Sequence, residues 1–240
     1  MVNKQAFTLA ETLIVMGIIG VVAALTLPNL NSSTGDKEKV AKVKKIYSNL
    51  NDAFGRAEAV CGSIDQWFIN DSTNSERTKR AGERITEFMK ISKTCGLEKN
   101  KGCFSSKGVG YANGKSGADS SIDSSNTVEY SYMKYILADG TSFAVFSCGV
   151  SSGGDAQCGV LVDIDGPNKG KNSYNVDIFQ FYLDNDGLEP ESACSIEDDY
   201  GSCTDWVLRH GNMDYLKADK NHKCPDGKTI LDGITNTTCK

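Results

Sequence analysis

The chain has no C-x-x-C pair and only two histidines, His210 and His222. Structural zinc sites are built from closely spaced cysteines and histidines, so the zinc signal is weak and disulfides are favoured over it, even with His222 near Cys224. Extended basic runs are also missing: the densest is Lys42-Val43-Lys44-Lys45, in a chain of net charge −5. A mildly acidic chain without a basic stripe has no electrostatic footprint for nucleic acid, and these lysines read as a solvated helix face. Two catalytic patterns are present only in part. Gly149-Val150-Ser151-Ser152-Gly153 has the spacing of a nucleophile elbow, which needs a strand before it and a helix after it. Here Asp155 leads on to Cys158 and another apolar strand pattern, which reads as a hairpin tip. The stretch GYANGKS ends like a phosphate-binding loop, but Val109 stands where its first glycine belongs.

What the chain does have is cysteine, nine in 240 residues, and one long apolar run. The length suits one domain with an appendage. So many cysteines point to an oxidising compartment and disulfides. Eight of them fall into neighbouring pairs along the chain: Cys95/Cys103, Cys148/Cys158, Cys194/Cys203 and Cys224/Cys239. Local pairing is the simplest arrangement, although eight cysteines allow roughly a hundred connectivities. Cys61 is then left over, either as a buried thiol or as the sign of a shuffled pairing.

The apolar run spans residues 7–30, enough for a membrane-crossing helix, which needs roughly 20 residues. Lys4 and the terminal amine precede it and favour a cytoplasmic N-terminus. A cleaved secretory signal, with Val22-Ala23-Ala24 as a weak cleavage site, and an ordinary signal anchor both fit this apolarity. Glu11 fits neither: a carboxylate inside hydrocarbon is costly, and residues of that kind are usually functional.

The run Phe7–Leu30 resembles the N-terminal cleavage and methylation motif of type IV pilins and type II secretion pseudopilins. Counting Phe7 as the first mature residue places Glu11 fifth, Gly20 fourteenth and Pro28 twenty-second, each the common choice of that family. The resemblance implies that a prepilin peptidase cuts between Ala6 and Phe7 on the cytoplasmic side and that Phe7 is N-methylated. Ala6 is a departure, since the family usually has glycine before the cut. The resemblance further implies that Phe7, Glu11, Gly20 and Pro28 serve assembly, with Glu11 meeting the Phe7 amine of a neighbouring subunit. A carboxylate near a helix N-terminus is favoured by the helix dipole, and in a low-dielectric bundle a paired charge is tolerated where an unpaired one is not. Gly20 and Pro28 weaken a helix; simple membrane tolerance and a kink that lets subunits pack both account for them.

Beyond residue 35, Val40, Val43, Tyr47, Leu50, Phe54, Ala57 and Cys61 recur at alternating steps of three and four, with Ile46 and Ala53 beside them. This is one amphipathic helix face, read as laid on the chain's own sheet in preference to a coiled-coil seam. A helix from Phe7 to about Val60 spans ~80 Å at ~1.5 Å per residue, with Ser32-Ser33-Thr34-Gly35 as a candidate interruption and Cys61-Gly62 as its end. A second helical pattern runs from about Ser75 to Ser92, with Ala81, Ile85, Phe88 and Met89 on one face. Residues 107–126 are rich in Gly, Ser, Asn and Asp and read as an exposed loop. Residues 127–183 read as an antiparallel meander. Val128, Tyr130 and Tyr132 alternate with polar neighbours, Asp139-Gly140 makes a two-residue hairpin, and GVLVDID and VDIFQFYL supply strands. The tail from Pro190 holds four cysteines and a short helix near Trp206–His210, and needs disulfides to stay ordered.

The reading is therefore α+β: a long N-terminal spine helix packed on an antiparallel β-meander, with a disulfide-rich C-terminal region. The expected division is a leader at 1–6, an assembly helix at 7–30 and an extracytoplasmic head at 31–240. The expected function is structural and not enzymatic: a subunit of a type IV pilus-like filament or of a secretion pseudopilus. The other class weighed is an anchored binding domain that does not polymerise. Expected partners are copies of itself or other pilins, a prepilin peptidase, the assembly machinery and the inner membrane, with no nucleic acid. The expected location is a single pass in the inner membrane with the head outside, then an extracellular filament or a periplasmic pseudopilus. No cofactor is expected. Calcium is the one metal left open, because Asp163, Asp165, Asn168 and Asp177, and Asp184, Asp186, Glu189 and Glu191, offer oxygen ligands in two turns, although Asp-Gly and Pro-Asn also make ordinary turns.

Overall fold

The structure, a computed structural model, describes residues 9–99, 101–106, 109–111, 122, 131–151, 153–169, 172–192, 194, 202–219 and 221–239. The side chains of 23–34 and Tyr111 lie outside that description. By its internal contacts the chain divides into Met1–Glu38 and Lys39–Lys240. The boundary falls just before Val40, the first buried residue of the long helix among the described side chains.

Helix α1 runs from Leu9 to Cys61, with no break at Ser32–Gly35. In the second unit it buries the face that its spacing predicts: Val43, Ile46, Leu50, Ala53, Phe54 and Ala57 are each at most 3% exposed. They meet the unit's own sheet, and Tyr47 stacks on Phe181 with ring centroids 5.9 Å apart. The helix stops at Gly62, whose φ of +82° is free of strain only for glycine. A one-turn helix, α2 (Ile64–Trp67), follows and sets Trp67 edge-on to Phe54.

Helix α3 covers Asn74–Thr86. Its start is a capping box: the Glu76 amide donates to Thr73 Oγ1 at 3.2 Å, and the Thr73 amide donates to Glu76 Oε2 at 2.9 Å. Ala81 and Ile85 are buried as expected, while Phe88 and Met89 lie beyond the helix and are partly buried. The helical pattern read to Ser92 was too long. Ile91–Gly96 is an edge strand, β1, antiparallel to β3 (Tyr132–Leu137).

Among the described residues the sheet has eight strands. Those not yet placed are β2 (Gly110–Tyr111), β4 (Ser142–Val150), β5 (Ala156–Asp163), β6 (Ser173–Tyr174), β7 (Ile178–Asp184) and β8 (Gly187–Pro190). Their order is β1-β3-β4-β5-β7-β6-β2, with β8 also on β7. The central pairings are antiparallel, and the parallel ones are β2–β6 and β6–β7, each through a two-residue strand. Val128 and Tyr130, read as part of the first strand, lie outside the described residues. The β3–β4 connection is not the two-residue turn expected at Asp139-Gly140. Leu137 O accepts from the Gly140 amide and the Leu137 amide donates to Thr141 O, so three residues close the hairpin, with Gly140 at φ +91°.

Register explains the two layers. Tyr135, Phe143, Val162 and Phe179 align across four strands, as do Met133, Val145, Val160 and Phe181. These rows face α1, α3 and the tail in one core. The opposite face carries Ala144, Leu161 and Ile178 and is covered by Cys95, Cys103, Phe104, Val109 and Ile122. Here the structure corrects a second expectation. Within 107–126, Val109 and Ile122 are 8% and 3% exposed rather than part of an open loop, because the second sheet face needs an apolar cover.

The tail docks through α4 (Thr204–His210) and a 3₁₀ turn at Asp214–Leu216. Asn175 anchors it: its Oδ1 accepts from the Cys203 amide at 2.6 Å and its carbonyl from the Tyr215 hydroxyl at 2.8 Å. Val207, Met213 and Tyr215 then enter the helix-side core. Fold class is thus as read: a long N-terminal helix on an antiparallel sheet, α+β, with disulfides in the C-terminal part.

Candidate functional site

The expected functional segment lies at the start of α1. Ala6 and Phe7, the two residues of the expected cut, lie outside the described residues. Glu11 stands in the first turn of α1, where the dipole favours a carboxylate. Beside it the Thr12 hydroxyl donates to the Leu9 carbonyl at 2.8 Å. Every described side chain from Leu9 to Val22 is exposed, and the large apolar ones range from 53% at Val15 to 80% at Leu9. A helix that is apolar all round requires a surrounding core or lipid. A Cβ built at Gly20 meets nothing within 4 Å, and neither does one at Gly17. No packing inside the subunit therefore requires glycine there. Pro28 lies within α1. The described side chains of this segment, 9–22, fall short of the roughly 20 residues of a span. Among the described residues no helix is long and apolar enough to cross a membrane.

Four disulfides stand in the second unit, each between neighbours along the chain: Cys95–Cys103, Cys148–Cys158, Cys194–Cys203 and Cys224–Cys239. Each has a distinct place. The first holds the cover of the second sheet face, the second clips the β4–β5 hairpin, and the last two staple the tail. Cys61 is a free thiol at the last residue of α1, half-buried against the core. The G-x-S-x-G stretch sits at the clipped hairpin: the Ser151 amide donates to the Asp155 carbonyl at 2.8 Å, and strand β5 follows where an elbow would need a helix.

The two acidic turns use their carboxylates to hold backbone. Asp163 Oδ1 accepts from the amides of Asp165 and Gly166 at 3.1 and 3.0 Å. Asp177 accepts from Asn172 and Ser173, and Asp184 from Asp186. Asp165 pairs with Lys42 at 2.7 Å, and Asp139 with Lys45 at 2.6 Å, so two sheet turns are tied to α1. Among the described residues no group of three or more His, Cys, Asp or Glu is placed to hold a metal ion. Asp163 stands out nonetheless. It is 1% exposed, its Oδ2 has no hydrogen-bond partner among the described residues, and burial, with the charge of Asp177 beside it, pushes its carboxyl up to about 8.

Two features escaped the sequence reading. Lys134 is fully buried in β3, on the second sheet face with Tyr132 and Ile136. The other is a groove in the tail that brings both histidines together.

Comparison with known proteins is confined to the N-terminus. Residues 1–27 match the family described as Prokaryotic N-terminal methylation motif, the signature of type IV pilins and pseudopilins. No curated protein and no solved structure matches the chain.

Proposed function

We infer that a chain with this motif is pilin-like, of a class that typically lacks catalysis. We propose that it is a structural subunit of a type IV pilus-like filament. It would enter the inner membrane through residues 7–30 with Lys4 inside and the head outside. A prepilin peptidase would cut between Ala6 and Phe7, and assembly machinery would join its helices to those of other copies or other pilins. The observation that carries this reading is the pairing of the motif with a helix whose apolar side chains are exposed on every side from Leu9 to Val22. Such a surface is stable only in lipid or against like helices. In a bundle of helices, Glu11 would fix axial register by meeting a neighbour's Phe7 amine, since a buried charge needs a partner. Gly17 and Gly20, with open space around them, would let neighbouring backbones approach closely.

The mature N-terminus and intact mass of the protein, purified from its native membrane, test the proposal. A chain beginning at Phe7 and heavier by one methyl is the expected result. A start at Met1 favours an anchored domain that does not polymerise, and a start near Leu25 makes the segment a secretory signal; either overturns the filament reading. Filaments outside the cell distinguish a pilus from a pseudopilus that stays periplasmic.

A further inference from the structure

Charge in the second unit is divided between the two ends of the sheet. Ile136, Ser142, Asp163 and Ile178 align in one row near the first end. Beyond that row lie the turn at Asp139-Gly140, the turn from Asp165 to Lys169, and the lysines of α1 that pair with them. Two grooves open there on either side of the Lys45–Asp139 pair, of about 480 and about 300 Å³. Both volumes are those of binding clefts. Ile46, Ile136 and Ile164 give the larger groove apolar lining, and Lys42, Lys45 and Lys169 give it cations. Lys90 adds a further cation to the smaller one. The wall is rigid, because a Cβ at Gly166 would run into the Gly140 carbonyl, so the two turns pack backbone to backbone.

The lysines keep charge to spare. Lys42 and Lys45 pair with Asp165 and Asp139, yet their side chains remain 36% and 59% exposed. Lys90 and Lys169 are exposed and have no ion pair among the described residues. Asp52, the remaining carboxylate of the lining, pairs with Arg56 outside it. Lys42, Lys45, Lys90, Lys169 and Arg56 thus outnumber Asp52, Asp139 and Asp165.

The opposite end is acidic. The β4–β5 hairpin closes there beside Asp155, and the two-residue β7–β8 turn lies between Asp184 and Gly187, with Asp186 at its tip and Glu189 just after it. Asp155, Asp186 and Glu189 are exposed. Nothing basic offsets them in sequence: there is no lysine or arginine between Lys134 and Lys169, and none between Lys171 and Arg209.

We propose that the lysine-lined grooves of one head receive the acidic β7–β8 turn of a second copy of this chain, so that heads join end to end. This rests on the filament reading and adds a contact made by the heads to the one made by the helices. Copies placed by one repeated rotation and translation meet through unlike surfaces, and such an interface leads to an open filament. Opposite charge on the two ends of one head is what that contact requires. A second copy satisfies both patches at once, whereas an anionic lipid surface would satisfy the lysines alone. Complementary charge also sets which ends meet, since a head turned the other way would bring like charges together.

The test uses native filaments sheared from cells, with the detergent-solubilised monomer beside them. A zero-length carbodiimide joins amine to carboxylate, and mass spectrometry reads the linked peptides. Links from Lys90 or Lys169 to Asp184, Asp186 or Glu189 are expected in filaments. They should be absent from the monomer, where about 25 Å of strand, the eight residues of β5, separates the two ends. Charge reversal gives the second measurement. Lys90→Glu with Lys169→Glu, or Asp186→Lys with Glu189→Lys, should lower the filament yield about tenfold, and the chain with all four changes should recover most of it. None of these four side chains has a hydrogen bond or ion pair among the described residues, so the monomer's urea midpoint should hold. Filaments without such links overturn the proposal and leave the filament reading standing, as do links from these lysines only to a different pilin. A fourfold variant no better than either pair overturns it too. A chain that begins at Met1 and forms no filament removes both readings.

Discussion

Replacing Asp163 by asparagine should remove much of the pH dependence of the head's stability between pH 4 and 8. The carboxyl is 1% exposed and pushed up to about 8, against roughly 3.9 in an unfolded chain. Across that window the unfolded chain has released the proton and the folded chain holds it. Stability is therefore fully present below pH ~4 and is lost as pH rises toward 8, by up to ~1.4 kcal/mol per unit. Between pH 5 and pH 7 this predicts a loss of about 2–3 kcal/mol in the native chain, an upper figure that local relaxation reduces. Asparagine does not ionise and keeps an oxygen for the amides of Asp165 and Gly166. Its new amide hydrogens have a candidate acceptor in Ser142, the cross-strand neighbour, whose Oγ is buried without a partner. Urea unfolding followed by tryptophan fluorescence at several pH values is the assay, because Trp67 and Trp206 both lie in the head's packing. The difference between native and variant midpoints should widen in the variant's favour from pH 5 to pH 7. Parallel curves would refute the argument. So would a native midpoint that rises in millimolar calcium and a variant that is weaker at pH 7, since a bound cation would hold Asp163 ionised and return the acidic turn to its metal reading.

Glu11→Ala should leave the monomer's urea midpoint unchanged and lower the sheared filament yield at least tenfold, seen by electron microscopy; a normal yield removes the register role. Gly82→Ala should lower stability by about 1–3 kcal/mol by overpacking. A Cβ there would stand 2.7 Å from Met133 Cγ and 2.8 Å from the Tyr135 hydroxyl oxygen, and an unchanged midpoint would show that α3 can shift away from the sheet. Cys148→Ser with Cys158→Ser opens a loop of separation 10 and should cost about 2–3 kcal/mol, read as a lower urea midpoint. No change would mean that the β4–β5 pairing alone fixes the hairpin.

Much of this architecture was legible because it follows a period. The α1 face from Val40 to Ala57 was readable because a helix against a sheet buries one stripe. What escaped was structure set by the second sheet face. β3 reads Tyr-Met-Lys-Tyr-Ile-Leu with no alternation, since Met133 and Tyr135 face the helices while Lys134 and Ile136 face the other cover. A strand buried on both sides loses the period-two signal. The same cover takes in Val109 and Ile122, isolated apolar residues in a polar stretch, whose burial no local pattern announces. The start of β1 overlaps the end of the helical pattern at Ser75–Ser92, which Ala81, Ile85, Phe88 and Met89 carry. Only its pairing with β3 decides otherwise. At the candidate site the motif residues were legible by offset alone, whereas the tail groove depends on stretches joined only by the fold.

The direction proposed for the membrane crossing rests on two features that pull apart. Lys37, Lys39, Lys42, Lys44 and Lys45 follow the apolar run, against Lys4 and the amine before it. A count of basic residues alone would keep the lysine-rich side in the cytoplasm. The disulfides argue the reverse, since eight of nine cysteines are bonded and a reducing cytoplasm does not sustain such bonds. The lysines also have an explanation in the folded head, where Lys42 and Lys45 tie α1 to the turns at Asp165 and Asp139. Redox chemistry should therefore decide, and thiol counting reads it. Protein trapped with an alkylating reagent at the moment of lysis, then unfolded without reductant, should carry a single label, on Cys61. Nine labels would place the head in the cytoplasm, and the crossing proposed for residues 7–30 would then run the other way.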